Sequence, residues 1–160
     1  MIEKINILIL TMLGVGNSRY APGTMASFIT CLIFIYIYDR QIQIFFLILA
    51  TSIIFIFAIY SIDSFKNSFS KVDAEEIVID EFIGQSIPVL TIYSLIEKNN
   101  LNHFIFYTFL SFILFRIFDI WKPYPINRID QNIKNGFGVM IDDVVAGIYS
   151  AVLLLVLFII

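Results

Sequence analysis

Residues 42–62, IQIFFLILATSIIFIFAIYSI, decide the fold, because no charged residue interrupts them. A helix needs roughly 20 apolar residues to cross the hydrocarbon core of a bilayer, and this run supplies them. The apolar character is continuous rather than alternating between two faces, which is the pattern of a membrane helix and not of a barrel strand. Four further apolar segments flank it, at about 24–38, 77–96, 103–121 and 139–160, separated by short polar punctuation. The expectation is an all-α, polytopic membrane bundle of about five embedded helices. Segment 24–38 is short and has to thin the bilayer or begin within the protein.

Composition agrees. Of the 160 residues, 59% are hydrophobic and 14% charged, and the mean hydropathy is +0.90, outside the range of soluble domains. A net charge of −3 with no basic stripe gives no footing for nucleic acid. The single cysteine, Cys31, sits in an apolar run, so it reads as packing and allows no disulfide framework. The N-terminus, MIEKINILILTMLGVG, lacks a small-residue cleavage site and its apolar part is too short to span; it reads as a short helix on or partly within the bilayer. With no linker, residues 1–160 form one domain.

Threading the five segments across the membrane fixes two sides. The connector at 14–23, the loop at 63–76 and the stretch WKPYPINRIDQNIKNG fall on one side, with Arg19, Lys66, Lys71, Arg116, Lys122, Arg128 and Lys134; the other side holds Arg40 and Lys98. The excess of positive charge assigns the first side to the cytoplasm. Every polar cluster of the sequence then converges there. Asp80 and Glu81 enter the third span, Arg116 and Asp119 close the fourth, and Asp142 and Asp143 begin the fifth.

A charge inside a membrane helix is expensive, about 2.5–3.5 kcal/mol at the centre and less toward the interface. Acids on three helices at one depth repel unless they are protonated or bridged by cations. A hard divalent ion such as Mg²⁺ meets that need, since it takes oxygen ligands, keeps several waters and recruits phosphate oxygens. Asp80, Glu81, Asp119, Asp142 and Asp143 are therefore the candidate metal-binding and catalytic residues. Arg116, three residues before Asp119 and so on the same helix face, supplies a guanidinium suited to phosphate. Lys122 precedes the Pro123 and Pro125 of KPYP, which cannot continue a helix, and so stands at a rigid corner. Taken singly, Lys122, Trp121 and Tyr124 also suit the headgroup level of any membrane protein.

The stretch YAPGTMAS adds a proline-glycine turn ending in Thr24, expected as an N-cap, so that Gly23 and Thr24 open a helix whose free amides favour an anion. Gly84 and Gly147 follow Asp80 and Asp143 by four residues each, on the same helix faces, where small residues let helices approach.

Four stretches, APGTMAS, VIDEFIGQ, FRIFDIWKPYPINRID and GFGVMIDDVVAGIYSA, resemble in order and spacing the motif series of the phosphatidylglycerophosphatase A family, over nearly the whole chain. The resemblance implies a Mg²⁺-dependent enzyme of the bacterial cytoplasmic (inner) membrane that removes the terminal phosphate of phosphatidylglycerophosphate to give phosphatidylglycerol. It places the family's acidic positions at Asp80, Glu81, Asp119, Asp142 and Asp143 and its basic positions at Arg116 and Lys122.

The residues themselves accommodate two routes, attack by a metal-bound water or by a carboxylate nucleophile. A phosphohistidine route needs a histidine at the site, and His103, the one histidine, falls on the opposite side. An ion or proton transporter also uses intramembrane acids, but would carry them across the bilayer rather than at one face.

Overall fold

The structure, a computed structural model, describes residues 2–65, 74–97 and 99–160. Within them the chain is helical throughout: α1 (Ile2–Leu10), a 3-10 turn (Val15–Asn17), α2 (Pro22–Asp39), α3 (Ile44–Phe65), α4 (Ile79–Leu95), α5 (Leu101–Trp121), α6 (Ile126–Asn132) and α7 (Gly136–Ile159). Four helices, α2, α3, α5 and α7, are long and apolar enough to cross a membrane. The helical membrane bundle expected from the run at 42–62 is present, with α3 exposing much of its apolar surface, including Phe45, Ile53 and Ile56.

The third expected span, α4, is different in kind. It has 17 residues and is enclosed by α2, α3, α5 and α7, all of which pack on it. A helix walled in by protein carries polar groups that a lipid-facing one cannot. The N-terminal segment is the short helix foreseen, pinned by fully buried Leu10, whose carbonyl accepts the Val78 N–H at 3.0 Å. The helix α6 was not foreseen in the PYPINRID stretch. Its Ile126 is fully buried against Phe115 and Ala146.

The inward faces follow helical spacing. On α2 the buried positions are Gly23, Ala26, Ser27, Thr30, Cys31, Phe34 and Tyr38, a stripe of three- and four-residue steps. Cys31 is the packed core residue its surroundings predicted. Apolar surface is no drive for helix association in lipid, where close packing of small residues takes over. At the centre of this bundle that role falls to two glycines. Pro88, inside α4, has no N–H to offer the carbonyl of Gly84 one turn earlier. Gly147 of α7 lies against that oxygen, so close that a Cβ would overlap it, while a Cβ on Gly84 would come within 2.7 Å of the Asp143 carbonyl.

The helices alternate in direction. Residues 21–23, the start of α4, the end of α5 and the start of α7 meet at one end of the bundle. The opposite end is closed by aromatic packing: Tyr38 stacks on Phe104 with ring centroids 3.9 Å apart, Tyr38 donates to the carbonyl of Glu97, and Tyr93 donates to that of Ile42 at 2.5 Å. Arg19, Arg116, Lys122, Arg128 and Lys134 belong to the first end and Arg40 to the second; Lys66, Lys71 and Lys98, which entered the charge comparison, lie outside the described residues.

Candidate active site

The glycine contact brings acids together. Asp80 lies one turn before Gly84 and Asp143 one turn before Gly147, so the close approach of α4 and α7 sets these carboxylates face to face. Carboxylate oxygens of Asp80, Glu81 and Asp143 lie within 4.8 Å of one another. Asp80 and Asp143 are buried, at 8% and 4% exposure. Asp119 and Asp142 complete the group: the charges acting on Asp143 are those of Asp119, Glu81 and Asp142. All five acids and both basic residues singled out from the sequence line one cavity of about 310 Å³, together with Gly23 and the 74–77 segment.

Two basic side chains form the rest of its wall, in different states. Arg116 Nη1 lies 2.7 Å from Asp119 Oδ2, on the shared helix face the i,i+3 spacing predicts, yet this contact lacks hydrogen-bond geometry, and Arg116 Nε and Nη1 have no hydrogen-bond partner among the described residues. The guanidinium keeps donors to spend. Lys122 is fully engaged: its ammonium donates to Asp130 Oδ1 at 2.8 Å and to Asp142 Oδ2 at 2.9 Å. Burial alone would lower its pKa, but the hydrogen bonds and charges of Asp130 and Asp142 outweigh burial and hold it above the ordinary lysine value. The corner predicted by KPYP is there, since Lys122 ends α5 in a left-handed conformation with φ 45° and ψ 60°, which is uncommon for a residue with a Cβ. The two ion pairs hold it in place.

Asp130 was not read as a site residue. It reaches Lys122 because α6 packs on α7, with Ile126 buried against Phe115 of α5 and Ala146 of α7. Its only trace in the sequence is the acid of NRID, which closes the third stretch of the motif series.

Two expectations need correction. Thr24 is not the N-cap of α2. Pro22 takes the first helical position and Ala21, in a left-handed conformation with φ 42°, is the cap, so Thr24 lies within the first turn; a proline's fixed φ suits that first position. Gly23 does line the cavity, whereas Thr24 faces an adjoining apolar groove. A Cβ on Gly23 would overlap Glu81 Oε1, so the missing side chain is the space that the Glu81 carboxylate occupies, at the positive end of α2. Nor do Asp142 and Asp143 begin their helix. α7 starts at Gly136, with Asn135 accepting from the Gly138 N–H at 2.9 Å and Asp63 from the Gly136 N–H at 2.7 Å. The end of α7 is thus capped without the two acids, which sit nearly two turns further on.

The donor set suits a hard cation. Glu81 Oε2 and Asp143 Oδ2 are buried and have no hydrogen-bond partner among the described residues, an expensive condition unless something else satisfies them. All the donors are carboxylate oxygens, the ligand type that Mg²⁺ takes. At the opposite end of the bundle Asp39 and Glu97 are exposed, and His103 serves its own helix end, its backbone N–H donating to the capping Asn100 Oδ1 at 3.3 Å. Neither a transmembrane series of acids nor a histidine nucleophile is placed by the described residues.

Comparison with known proteins agrees with the motif resemblance. The profile of the family described as Phosphatidylglycerophosphatase A matches residues 8–158. A Bacteroides thetaiotaomicron protein that bears the provisional name phosphatidylinositol-3-phosphatase is 35% identical, over 94% of this chain and 91% of its own. Proteins named phosphatidylglycerophosphatase A from Haemophilus influenzae and Escherichia coli are 34% and 33% identical, over 94% and 86% of this chain and 88% and 74% of theirs. No solved structure matches. A family match over residues 8–158, with relatives above 30% identity over most of the chain, makes this chain a member of the phosphatidylglycerophosphatase A family.

Proposed function

We propose that this enzyme hydrolyses the terminal phosphate monoester of phosphatidylglycerophosphate at the cytoplasmic face of a bacterial inner membrane, with Mg²⁺ held by Asp80, Glu81 and Asp143. The observation that carries the proposal is the meeting of three carboxylates within 4.8 Å, two of them with unpartnered buried oxygens, with two cations in one cavity. An anionic phosphate cannot approach five carboxylates without compensating positive charge, and a divalent ion together with Arg116 and Lys122 supplies most of it. The cytoplasmic assignment rests on the basic residues gathered at that end of the bundle.

When bound, the ion would polarise a phosphoryl oxygen and lower the pKa of a coordinated water. The protein's own groups do the rest. Arg116, positioned by Asp119, turns its free Nε and Nη1 donors toward the phosphoryl oxygens and stabilises charge that builds there. Lys122 acts as a fixed positive charge and not as a proton donor, because Asp130 and Asp142 hold its pKa up. Gly23 leaves room for Glu81, and the amide end of α2 adds its partial positive charge. Asp142, held by Lys122, steers the ammonium and leaves Asp143, on the adjoining helix face, for the ion.

Two phospholipid monoesters are named among the relatives, so the direct test is phosphate release by the purified protein from phosphatidylglycerophosphate and from phosphatidylinositol 3-phosphate in parallel. A kcat/KM at least about tenfold higher for phosphatidylglycerophosphate is expected. Preference for the inositol lipid would reassign the substrate, and release from neither would refute the proposal.

A further inference from the structure

Arg116 belongs to two cavities. Besides the carboxylate cavity it lines a groove of about 740 Å³ on the outer face of α5, walled by Ile113, Ile117, Ile120 and Trp121 and reached by Thr24 of α2. The apolar residues recur at three- and four-residue steps, so they form one stripe, and Ile117, Ile120 and Trp121 are 49%, 72% and 73% exposed. Lipid-facing stripes are ordinary in a membrane helix; a guanidinium in the wall of one is not. The other apolar grooves, beside Phe55 and Ile87 and beside Met12 and Ile33, share no residue with the carboxylate cavity.

Thr24 sharpens the contrast. Further along the same helix Ser27 and Thr30 spend their hydroxyls on the carbonyls of Gly23 and Ala26, at 2.9 and 2.8 Å. The Thr24 hydroxyl has no partner among the described residues and lines the groove together with Arg116. Arg116 thus joins the carboxylate cavity to a groove that offers a free hydroxyl and, from Ile113 to Trp121, an apolar wall. A phospholipid combines the same needs: a phosphate monoester, polar glycerol esters and apolar acyl chains.

We propose that this groove between the start of α2 and the end of α5 is the binding site for the diacylglycerol portion of the substrate, which enters sideways from the bilayer past Thr24 and Arg116. Its occupant is the lipid whose phosphate monoester lies in the carboxylate cavity, so the proposal rests on the phospholipid phosphatase reading. Continuity through Arg116 distinguishes that occupant from bulk lipid, which has no phosphate monoester to place in the carboxylate cavity.

The test places a photoactivatable benzophenone side chain at Ile117 or, as control, at Ile53 on α3, which is 58% exposed and lines none of the grooves named above. The purified protein is reconstituted in phosphatidylcholine vesicles with a small fraction of phosphatidylglycerophosphate, and illumination is compared with phosphate release from the same vesicles. Cross-linking at position 117 enriched about tenfold for the phosphomonoester lipid over phosphatidylcholine, with no enrichment at 53, is the expected result. Equal, unenriched labelling at both positions would overturn the groove even if phosphate is released normally. Enrichment at 117 without phosphate release would support the groove and count against the reaction. As a second readout, Ile117→Trp fills the groove and is expected to raise KM for the long-chain lipid about tenfold with kcat little changed; an unchanged KM, equal to that of Ile53→Trp, would likewise overturn the proposal.

Discussion

Gly147 of α7 lies directly against the carbonyl oxygen of Gly84 on α4, the oxygen that Pro88 leaves without a helical hydrogen bond. One turn earlier on each helix stand Asp143 and Asp80. The distance between two of the site's acids is therefore set by a contact that contains no acid. Gly147→Ala would force α4 and α7 apart, an overpacking effect of about 1–3 kcal/mol. The expected outcome is a modest loss of thermal stability with a much larger loss of phosphate release. Full activity with lowered stability would show that the carboxylate spacing does not depend on this contact.

The adjacent acids Asp142 and Asp143 play different parts. Asp142 is held by the Lys122 ammonium, whereas Asp143 Oδ2 is buried and unpartnered. Asparagine keeps shape and one oxygen but loses the charge. Asp143→Asn is expected to lower kcat by more than about a hundredfold, equivalent to roughly 2.7 kcal/mol of barrier. Asp142→Asn retains an oxygen that can accept from Lys122, and its loss is expected to be the smaller of the two. Near-normal turnover in both variants, at saturating Mg²⁺ and equal expression, would leave the two acids without a catalytic part.

Asp130 acts through Lys122. Asp130→Asn is expected to lower kcat/KM about tenfold while thermal stability changes little, and Asp130→Glu to recover most of the loss. Failure of glutamate to do better than asparagine would reduce Asp130 to a bystander on α6.

Much of this arrangement is legible in the sequence, and the parts that are not share a cause. Apolar runs announce helices because a bilayer tolerates little else, and the alternation of helix direction brings Asp80, Glu81, Arg116, Asp119, Asp142 and Asp143 to one end. Asp130 was missed because its partner is reached through a helix of seven residues, too short for periodicity to reveal. Thr24 was misplaced because a capping preference worth about 1 kcal/mol gave way to Pro22, whose ring fits the first helical position. The two acids of α7 looked like a helix start because the apolar run begins near them, while the helix itself begins at Gly136, capped by Asn135 and by Asp63, a residue of α3 remote in sequence.

The orientation of the bundle has its own check. In a Cys31→Ser background, a single cysteine in place of Asn135, at the carboxylate end, is expected to react with a membrane-impermeant maleimide only when the cytoplasmic face is open to the reagent. A cysteine in place of Asn99 is expected to react from the opposite face. Labelling of both from the same side would refute the threading.

The central claim is that the meeting of Asp80, Glu81 and Asp143 is a divalent-metal site for phosphate ester hydrolysis. It is tested most directly by phosphate release from phosphatidylglycerophosphate by the purified protein, in Mg²⁺, in EDTA, and in EDTA followed by excess Mg²⁺. The expected result is turnover in Mg²⁺, a loss of at least about a hundredfold in EDTA, and recovery on readdition. Equal rates under all three conditions would contradict it.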